Sequence, residues 1–135
     1  MSVNLATRRA RLLAVRDAIL AHGDGAVWYL DGVIAPSPDA AISAIPLATL
    51  VLTADSFTLH PTAAELLIET LGNASISGQP TWVRFVDAAG AGVLDRTAGP
   101  PGSGAQVIVT DDQEPPTAQI WTGGEIDFSH TLTDP

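Results

Sequence analysis

From residue 26 onward, turn residues interrupt this chain about every 8–12 residues, and this spacing limits its fold more than any other feature. Between the turns lie short runs that are apolar or alternate between apolar and polar, as β-strands do. The clearest of these runs are 26–30, 46–53, 81–87, 93–98, 106–110 and 125–132. We therefore predict a mainly β fold: an N-terminal α-helix followed by an antiparallel β-sandwich, Ig-like or jelly-roll-like, of about seven or eight strands. A small barrel is the alternative.

Several segments carry more detailed predictions. Residues 46–53 are apolar on both faces, which predicts a central strand, and 57–60 are expected to extend the same ladder after a turn. Residues 118–122 and 125–132, joined at the Gly123-Gly124 turn, predict a closing hairpin. In the second of these runs, apolar and polar side chains alternate, which is typical of a half-buried antiparallel strand.

The middle of the chain gives one clear pattern and one ambiguous pattern. Residues 81–87 and 93–98 flank a glycine-bearing connection and predict a hairpin. Residues 63–71 have helix-forming composition, but the run is too short for its periodicity to decide between helix and strand. Since its surroundings are rich in strands, we predict a strand over 65–71.

A chain of 135 residues is expected to form a single domain, 1–135, in which 1–22 is a helical contact arm and 26–133 is the sandwich. The absence of cysteine excludes disulfides and zinc sites with cysteine ligands. No apolar run approaches the roughly 20 residues of a membrane helix, and no signal peptide is expected. We therefore predict no membrane association.

Charge is distributed unevenly along the chain. The net charge is −9, and all six basic residues are arginines. Four of them lie in the first 22 residues against a single acid, Asp17, so this segment carries +3 while the remaining 113 residues carry −12. Such an acidic body opposes binding to nucleic acid or anionic lipid. The basic segment is then either a solvated helix on an acidic domain or a helix that docks onto the acidic surface of another subunit.

Residues 5–22 contain no proline or glycine and are rich in alanine, leucine and arginine, which predicts a helix. At 100° per residue, one side gathers large apolar residues together with two arginines: Leu5, Arg8, Leu12, Val15, Arg16 and Ile19. The opposite side carries small residues at a spacing of four: Ala6, Ala10, Ala14 and Ala18. Both faces of this helix are therefore suited to burial.

Two arrangements of the helix follow from these faces. The alanine side can approach a sheet closely while the leucine and arginine side meets a partner. Alternatively, the leucine side packs on the domain's own core while the arginines extend outward. We predict that the helix contacts a partner, with these residues in the contact: Arg8, Arg9, Arg11, Leu12, Arg16 and Ile19.

No motif in the sequence predicts catalysis, a cofactor or a metal site, and we expect the protein not to be an enzyme. The histidines, His22, His60 and His130, lack metal-ligand spacing. The acidic run of Asp111, Asp112 and Glu114 matches no calcium loop, and a solvated loop is the expected interpretation. Asp87 and Asp95 flank a hairpin connection, where turn formation is a better expectation than acid–base work on a glycan.

The larger side chains give two further expectations. Arg84 lies in the middle of a predicted strand and is expected to pair with Asp87 or Asp95 or to stack on an aromatic ring. Arg96 is expected close to the position opposite Arg84. The tryptophans, Trp28, Trp82 and Trp121, are expected in the core, whereas an exposed Trp82 or Trp121 would indicate a carbohydrate- or receptor-binding module.

The order of segments resembles a group of small, mostly uncharacterised structural proteins of tailed bacteriophages. The resemblance rests on VWYLDG, PLATLVL and a block formed by Gly78, Trp82, Arg84 and Asp87, with Gly90 or Gly92 in the turn that follows. It implies an accessory virion protein, in capsid decoration, neck or tail, assembled in the host bacterial cytoplasm. The implied partners are other virion proteins and further copies of this chain, without nucleic acid.

Overall fold

A computed structural model describes residues 4–110 and 117–133. Its elements in chain order are α1 (Leu5–Ile19), β1 (Gly25–Leu30), β2 (Ala48–Leu52), β3 (Phe57–Leu59), β4 (Glu65–Asn73), β5 (Trp82–Val86), β6 (Gly92–Gly99), β7 (Val107–Ile108) and β8 (Glu125–Thr133). The strands divide into two sheets, with the order β2-β1-β5-β6-β7 in the first and β3-β4-β8 in the second. The prediction of a mainly β fold with an N-terminal helix is confirmed.

Helix α1 has a side-chain cap at its start and a tight turn after its end. The Asn4 carboxamide oxygen accepts a hydrogen bond from the Thr7 amide at 2.8 Å, which satisfies one of the free amides of the first turn. The helix ends at Ile19 rather than at residue 22. In the turn that follows, the Gly23 amide donates to the Leu20 carbonyl at 3.4 Å, and Gly23 adopts φ +122°, which favours glycine. No helix in the described part of the chain is long and apolar enough to cross a membrane.

In the first sheet, β5 pairs antiparallel with both β1 and β6, so the predicted hairpin of β5 and β6 is confirmed. The prediction that residues 46–53 form a central strand is wrong, because β2 pairs within this sheet only with β1 and forms its edge. Residues of β2 alternate between buried and exposed. The exposed positions include Val51, which is 53% accessible. An apolar residue on the outer face therefore made an edge strand resemble a central one.

In the second sheet, β4 pairs with β8 along its whole length, from Glu65 opposite Thr133 to Asn73 opposite Glu125. The predicted strand over 65–71 is confirmed. The expectation that 57–60 extends the ladder of β2 is wrong, because β3 pairs with β4 instead. A single turn of 3-10 helix, Ala54–Ser56, carries the chain from one sheet to the other.

The predicted closing hairpin is also wrong. Residues 118–122 contribute one isolated bridge, from Ile120 to Gly78, and β8 pairs with β4. The turn before β8 is present, and Gly123 adopts φ +80° in it, which favours glycine. This turn is bonded to the segment that follows β4, through the Gly123 amide to the Ala74 carbonyl at 2.8 Å. The sequence pattern identified the turn but not the strand that pairs with β8.

One pair of strands departs from the predicted antiparallel arrangement. β7 runs parallel to β6, with Ala98 opposite Val107 and Gly99 opposite Ile108. The loop between these strands returns the chain to the start of the paired segment of β6, so that β7 runs in the same direction as β6. Gly102 in this loop adopts φ +83°. The loop is built from glycine and proline turn residues, as expected.

A single hydrophobic cluster takes side chains from α1 and from both sheets. At its centre the Phe128 ring of the second sheet meets two rings of the first sheet edge-on, Tyr29 at 6.1 Å and Phe85 at 5.8 Å between centroids. Helix α1 contacts β3, β4 and β6, and its Leu12 and Ile19 side chains belong to the cluster. The helix is therefore an integral part of the fold rather than a separate arm.

Candidate functional site

The side of α1 that faces the protein is the leucine side. Leu12 and Ile19 are 5% and 0% exposed, so the prediction that these two residues contact a partner is wrong. Of the two arrangements considered for the helix, packing of the leucine side on the domain's own core is confirmed. Approach of the alanine side to a sheet is wrong, since Ala6, Ala10, Ala14 and Ala18 are all exposed. Burying leucine and isoleucine removes more apolar surface from water than burying alanine, which explains this orientation.

The four helix arginines lie around the buried leucine side. Arg9 donates to the His60 carbonyl at 2.9 Å, and Arg16 forms an exposed ion pair with Asp17 at 2.9 Å. Arg8 is half-buried, and its Nε atom has no hydrogen-bond partner among the described residues. Arg11 is exposed. The role of these four arginines in partner binding stays a prediction.

A cleft runs between α1 and strands β6 and β8. One part, about 360 Å³, is lined by Arg11 and Arg96 over an apolar floor that includes Leu94 and Leu132. A second part continues past Arg96 to His130. Arg96 is distant in sequence from the helix arginines. Only the packing of α1 against β6 brings Arg96 next to Arg11, so the sequence could not predict that both line one cleft. Arg96 lies close to the position opposite Arg84, as expected: Asp95 is opposite Arg84, and Arg96 is the next residue, opposite Val83.

The positive charge of this cleft comes from its arginines. Burial lowers the pKa of the Arg96 guanidinium, which nevertheless stays charged at neutral pH. Burial and the charge of Arg96 both lower the pKa of His130 from its usual value of 6.5, so this histidine is neutral at pH 7. His130 therefore adds no charge to the cleft under neutral conditions.

The outer side of the second sheet has the opposite charge. Its exposed carboxylates are Glu65, Glu69, Glu125 and Asp127, and we call this surface the acidic face. Strands β3, β4 and β8 contain no arginine or lysine. An apolar side chain lies within this surface, since Leu71 is 63% exposed and pairs across the strands with Asp127. Uncompensated carboxylates around an exposed leucine are suited to a basic partner with an apolar centre.

The protein is therefore electrically polarised. The arginines outside its interior lie on or beside α1, and we call this surface the basic end: Arg8, Arg9, Arg11, Arg16 and Arg96. The sixth arginine, Arg84, is 3% exposed and neutralised by an ion pair with Asp95. The basic end and the acidic face thus carry opposite charge, and they adjoin where Arg96 shares a cavity with Thr131 and Thr133 of β8.

Arg84 fastens a loop onto the first sheet. Its Nε donates to Asp95 at 2.8 Å, while Nη1 and Nη2 donate to the Ala40 and Ser37 carbonyls at 2.7 and 3.0 Å. The guanidinium also stacks on the Trp82 ring, 5.4 Å from its centroid. Both expectations for this residue, the ion pair and the aromatic contact, are confirmed. Arg84 binds its own chain and supports the structure.

The two aspartates near this hairpin are held by structural bonds. One oxygen of Asp87 accepts from the Ala89 and Ala91 amides at 2.9 and 3.0 Å, so Asp87 forms the turn, as expected. Both oxygens of Asp95 bind Arg84. Asp87 therefore serves the turn, and Asp95 serves the ion pair.

Other candidate chemistry finds no support in the described residues. Within residues 4–110 and 117–133, no three histidines or carboxylates are grouped so that they could hold a metal ion. The His60 ring nitrogen Nδ1 accepts from the Thr62 amide at 3.1 Å, which is a local turn contact. The predicted solvated loop of Asp111, Asp112 and Glu114 lies outside the described residues.

The three tryptophans have different environments. Trp82 is 2% exposed and donates its indole N–H to the Asp31 carbonyl at 3.1 Å, and Trp28 is half-buried. Trp121 is 61% exposed, so the expectation that it lies in the core is wrong. It precedes the Gly123-Gly124 turn rather than standing in a strand, and no sequence pattern separated it from the other two.

No protein-family model, curated protein or solved structure matches this chain. The resemblance to structural proteins of tailed phages therefore stays a prediction that rests on the order of its sequence segments.

Proposed function

We propose that this chain is an accessory structural protein of a tailed-phage virion, which self-associates and binds a lattice of capsid or tail subunits. The observation that supports this proposal is the separation of charge between the basic end and the acidic face. A surface of each sign on one chain allows each copy to bind the next through opposite charges. The phage assignment itself rests on the resemblance of the sequence segments.

The polarity favours one type of contact between copies. A two-fold contact that joined two basic ends, or two acidic faces, would bring like charges together and be unfavourable. A contact from the basic end of one copy to the acidic face of the next pairs arginines with carboxylates. Such a head-to-tail contact repeats, and it closes into a ring or continues as an array.

Arginine is well suited to this contact. Its planar guanidinium binds a carboxylate through two parallel hydrogen bonds and is less strongly hydrated than the lysine ammonium. Each exposed ion pair contributes little, about 0–1 kcal/mol. Apolar contacts through Leu71 on the acidic face add to it. Repetition around a particle then supplies avidity without strong individual contacts.

The finer architecture belongs to the same proposal. We propose that the two sheets stack as a sandwich of the Ig-like or jelly-roll-like type. The contacts of Phe128 with Tyr29 and Phe85 support it, because they join the inner sides of the two sheets. The proposed location is the virion, after assembly in the bacterial cytoplasm, and the acidic body argues against nucleic acid as the partner.

Mixing two charge-reversal variants tests the head-to-tail contact. Arg8→Glu/Arg11→Glu reverses two of the five charges of the basic end and leaves the acidic face intact. Glu65→Arg/Glu69→Arg reverses two of the four charges of the acidic face and leaves the basic end intact. We expect each variant alone to be a monomer by light scattering, and an equimolar mixture to form a heterodimer, since one functional contact is left between them.

Asp31→Arg is the matched control, because it reverses the charge of an exposed carboxylate that belongs to neither surface. We expect this variant to associate like the wild type or only slightly more weakly. Wild-type protein that is monomeric in low salt, or double variants that keep the wild-type mass, would overturn the head-to-tail proposal. For the phage assignment, the expected result is that the chain is found in purified particles by mass spectrometry, and its absence from them would overturn it.

A further inference from the structure

A groove beside Trp121 has the features of a small-ligand site. It measures about 310 Å³ and is lined by residues of the Trp121 turn, of β8 and of β7. This volume lies at the lower end of the range for ligand pockets, roughly 300–1,000 Å³. We call it the aromatic groove, after Trp121 on its rim and Tyr29 among its lining residues.

Trp121 is exposed and firmly positioned. The turn in which it lies is closed by a bond from the Gly124 amide to the Trp121 carbonyl at 2.7 Å. Asn73 donates to the Gly123 carbonyl at 3.0 Å, and the Ser77 hydroxyl contacts the Thr122 hydroxyl at 3.0 Å, so the turn is bonded to the segment after β4. A large exposed indole on a fixed turn is a preorganised flat apolar surface.

Tyr29 adds a polar group to the wall of the groove. Its ring is held in the core, where the residue is 2% exposed and packs edge-on against Phe128, and the residue also lines the groove. A tyrosine has an apolar ring and a hydroxyl that can bond to a ligand. Burial and the charge of Asp127 raise the pKa of Tyr29 above its usual value, so the group stays a neutral hydroxyl that can donate and accept.

The remaining polar groups define the chemical class of the ligand. Glu125, Asp127 and Gln119 line the groove, and no arginine or histidine is among its described lining residues. Two carboxylates without a basic residue repel anionic ligands and accept hydrogen bonds from hydroxyl groups. An aromatic platform beside several hydroxyl acceptors is complementary to a sugar ring, which has one apolar C–H face and a rim of hydroxyls.

We infer that the aromatic groove binds a neutral pyranose at the end of a glycan. The sugar ring stacks on Trp121, its hydroxyls donate to Glu125 and Asp127, and one hydroxyl bonds to Tyr29. The groove shares Glu125 and Asp127 with the acidic face, whereas Glu65 and Glu69 do not line it. Trp121 belongs to neither charged surface, so Trp121→Ala tests the groove without altering the charges of the proposed contact between copies.

The test is a glycan array of neutral and anionic oligosaccharides, probed with the full chain and followed by calorimetric titration of the best neutral glycan. We expect a neutral ligand whose affinity falls roughly 10- to 100-fold in Trp121→Ala. Tyr29→Phe keeps the ring that packs on Phe128 and is expected to weaken binding about 2- to 10-fold. Val33→Ala, at a residue 91% exposed and outside the groove, is the matched control and leaves affinity unchanged.

Three results would overturn this inference. The first is a lack of binding to any neutral glycan at millimolar concentration, and the second is a preference for sialylated or sulfated glycans. The third is neutral-glycan binding that Trp121→Ala does not weaken. A Trp121→Ala variant that loses self-association but shows no change in glycan affinity belongs to this third result, and it would assign the groove to a protein contact.

Discussion

Arg84 and Asp95 face each other on β5 and β6 and form a two-pronged ion pair inside the protein, with Nε–Oδ1 at 2.8 Å and Nη2–Oδ2 at 3.1 Å. Their side chains are 4% and 7% exposed. Each charge therefore depends on the other, because an unpaired charge in such a setting is strongly unfavourable. The pair, with the loop carbonyls that Arg84 also binds, couples the first sheet to the loop before β2.

Asp95→Ala is predicted to lower the free energy of unfolding by about 3–5 kcal/mol, because it leaves the Arg84 guanidinium buried without its counter-ion. Asp17→Ala breaks the exposed pair with Arg16 and is the matched control, with an expected loss of less than about 1 kcal/mol. Urea unfolding followed by circular dichroism measures both. Equal losses in the two variants would show that the buried pair is not a major support.

Tyr29 makes the stability sensitive to alkali. Burial raises its folded-state pKa above the unfolded value of 10.0, so the unfolded chain releases its proton first and stability is lost as pH rises above 10. We predict a loss of about 1 kcal/mol between pH 8 and pH 11. The chain has one tyrosine and no lysine, which makes this region of pH unusually simple to interpret.

The measurement is urea unfolding at several pH values for wild type and Tyr29→Phe. The variant is expected to show a flatter dependence above pH 10, since it has no phenol to ionise. A wild-type stability that is constant up to pH 11, or an unchanged slope in Tyr29→Phe, would contradict this assignment.

His130 is predicted to titrate below the usual histidine value of 6.5, because burial and the charge of Arg96 both favour its neutral form. Its contribution to stability is present above pH 6.5 and is lost as pH falls through the lowered pKa. Ring-proton NMR gives this pKa directly, with His130→Gln to assign the signal. In Arg96→Gln the pKa is expected to move upward. An unchanged pKa in Arg96→Gln would show that the arginine does not act on His130.

Leu12→Ala is predicted to lower the free energy of unfolding by about 2–4 kcal/mol, because its side chain is buried with both sheets in the central cluster. Ala14→Gln, on the exposed side of the same helix, is the matched control and should change stability by less than about 0.5 kcal/mol. Thermal or urea unfolding distinguishes the two. A similar small effect of both substitutions would show that the packing of α1 on the sheets contributes little to the free energy of unfolding.

The sequence predicted the positions of strands better than their partners. Alternation located β5, β6 and β8, and the context located β4, because these are local properties of each run. Pairing depends on residues distant in the chain. The sequence therefore predicted that β8 pairs with residues 118–122, whereas it pairs with β4. The apolar surface of β2 likewise could not reveal that it is an edge strand.

The candidate sites were predictable only in part. The four helix arginines follow directly from the sequence, but their alignment with Arg96 depends on how α1 packs on β6. Either the leucine side or the alanine side of α1 could have packed on the sheets, and composition alone did not show which side is buried. Trp82 is buried and Trp121 is exposed. Their neighbours in the sequence are similar mixtures of apolar and polar residues, so this difference arises from the tertiary fold.

The central claim, association of the basic end with the acidic face, is tested most directly by the mass of the purified full chain in solution. Light scattering at about 0.01 M and 1 M salt compares screening lengths of about 30 Å and 3 Å. We predict an oligomer at low salt that dissociates at high salt, because exposed ion pairs weaken when they are screened. A monomer under both conditions, or an oligomer whose mass salt does not change, would contradict the claim.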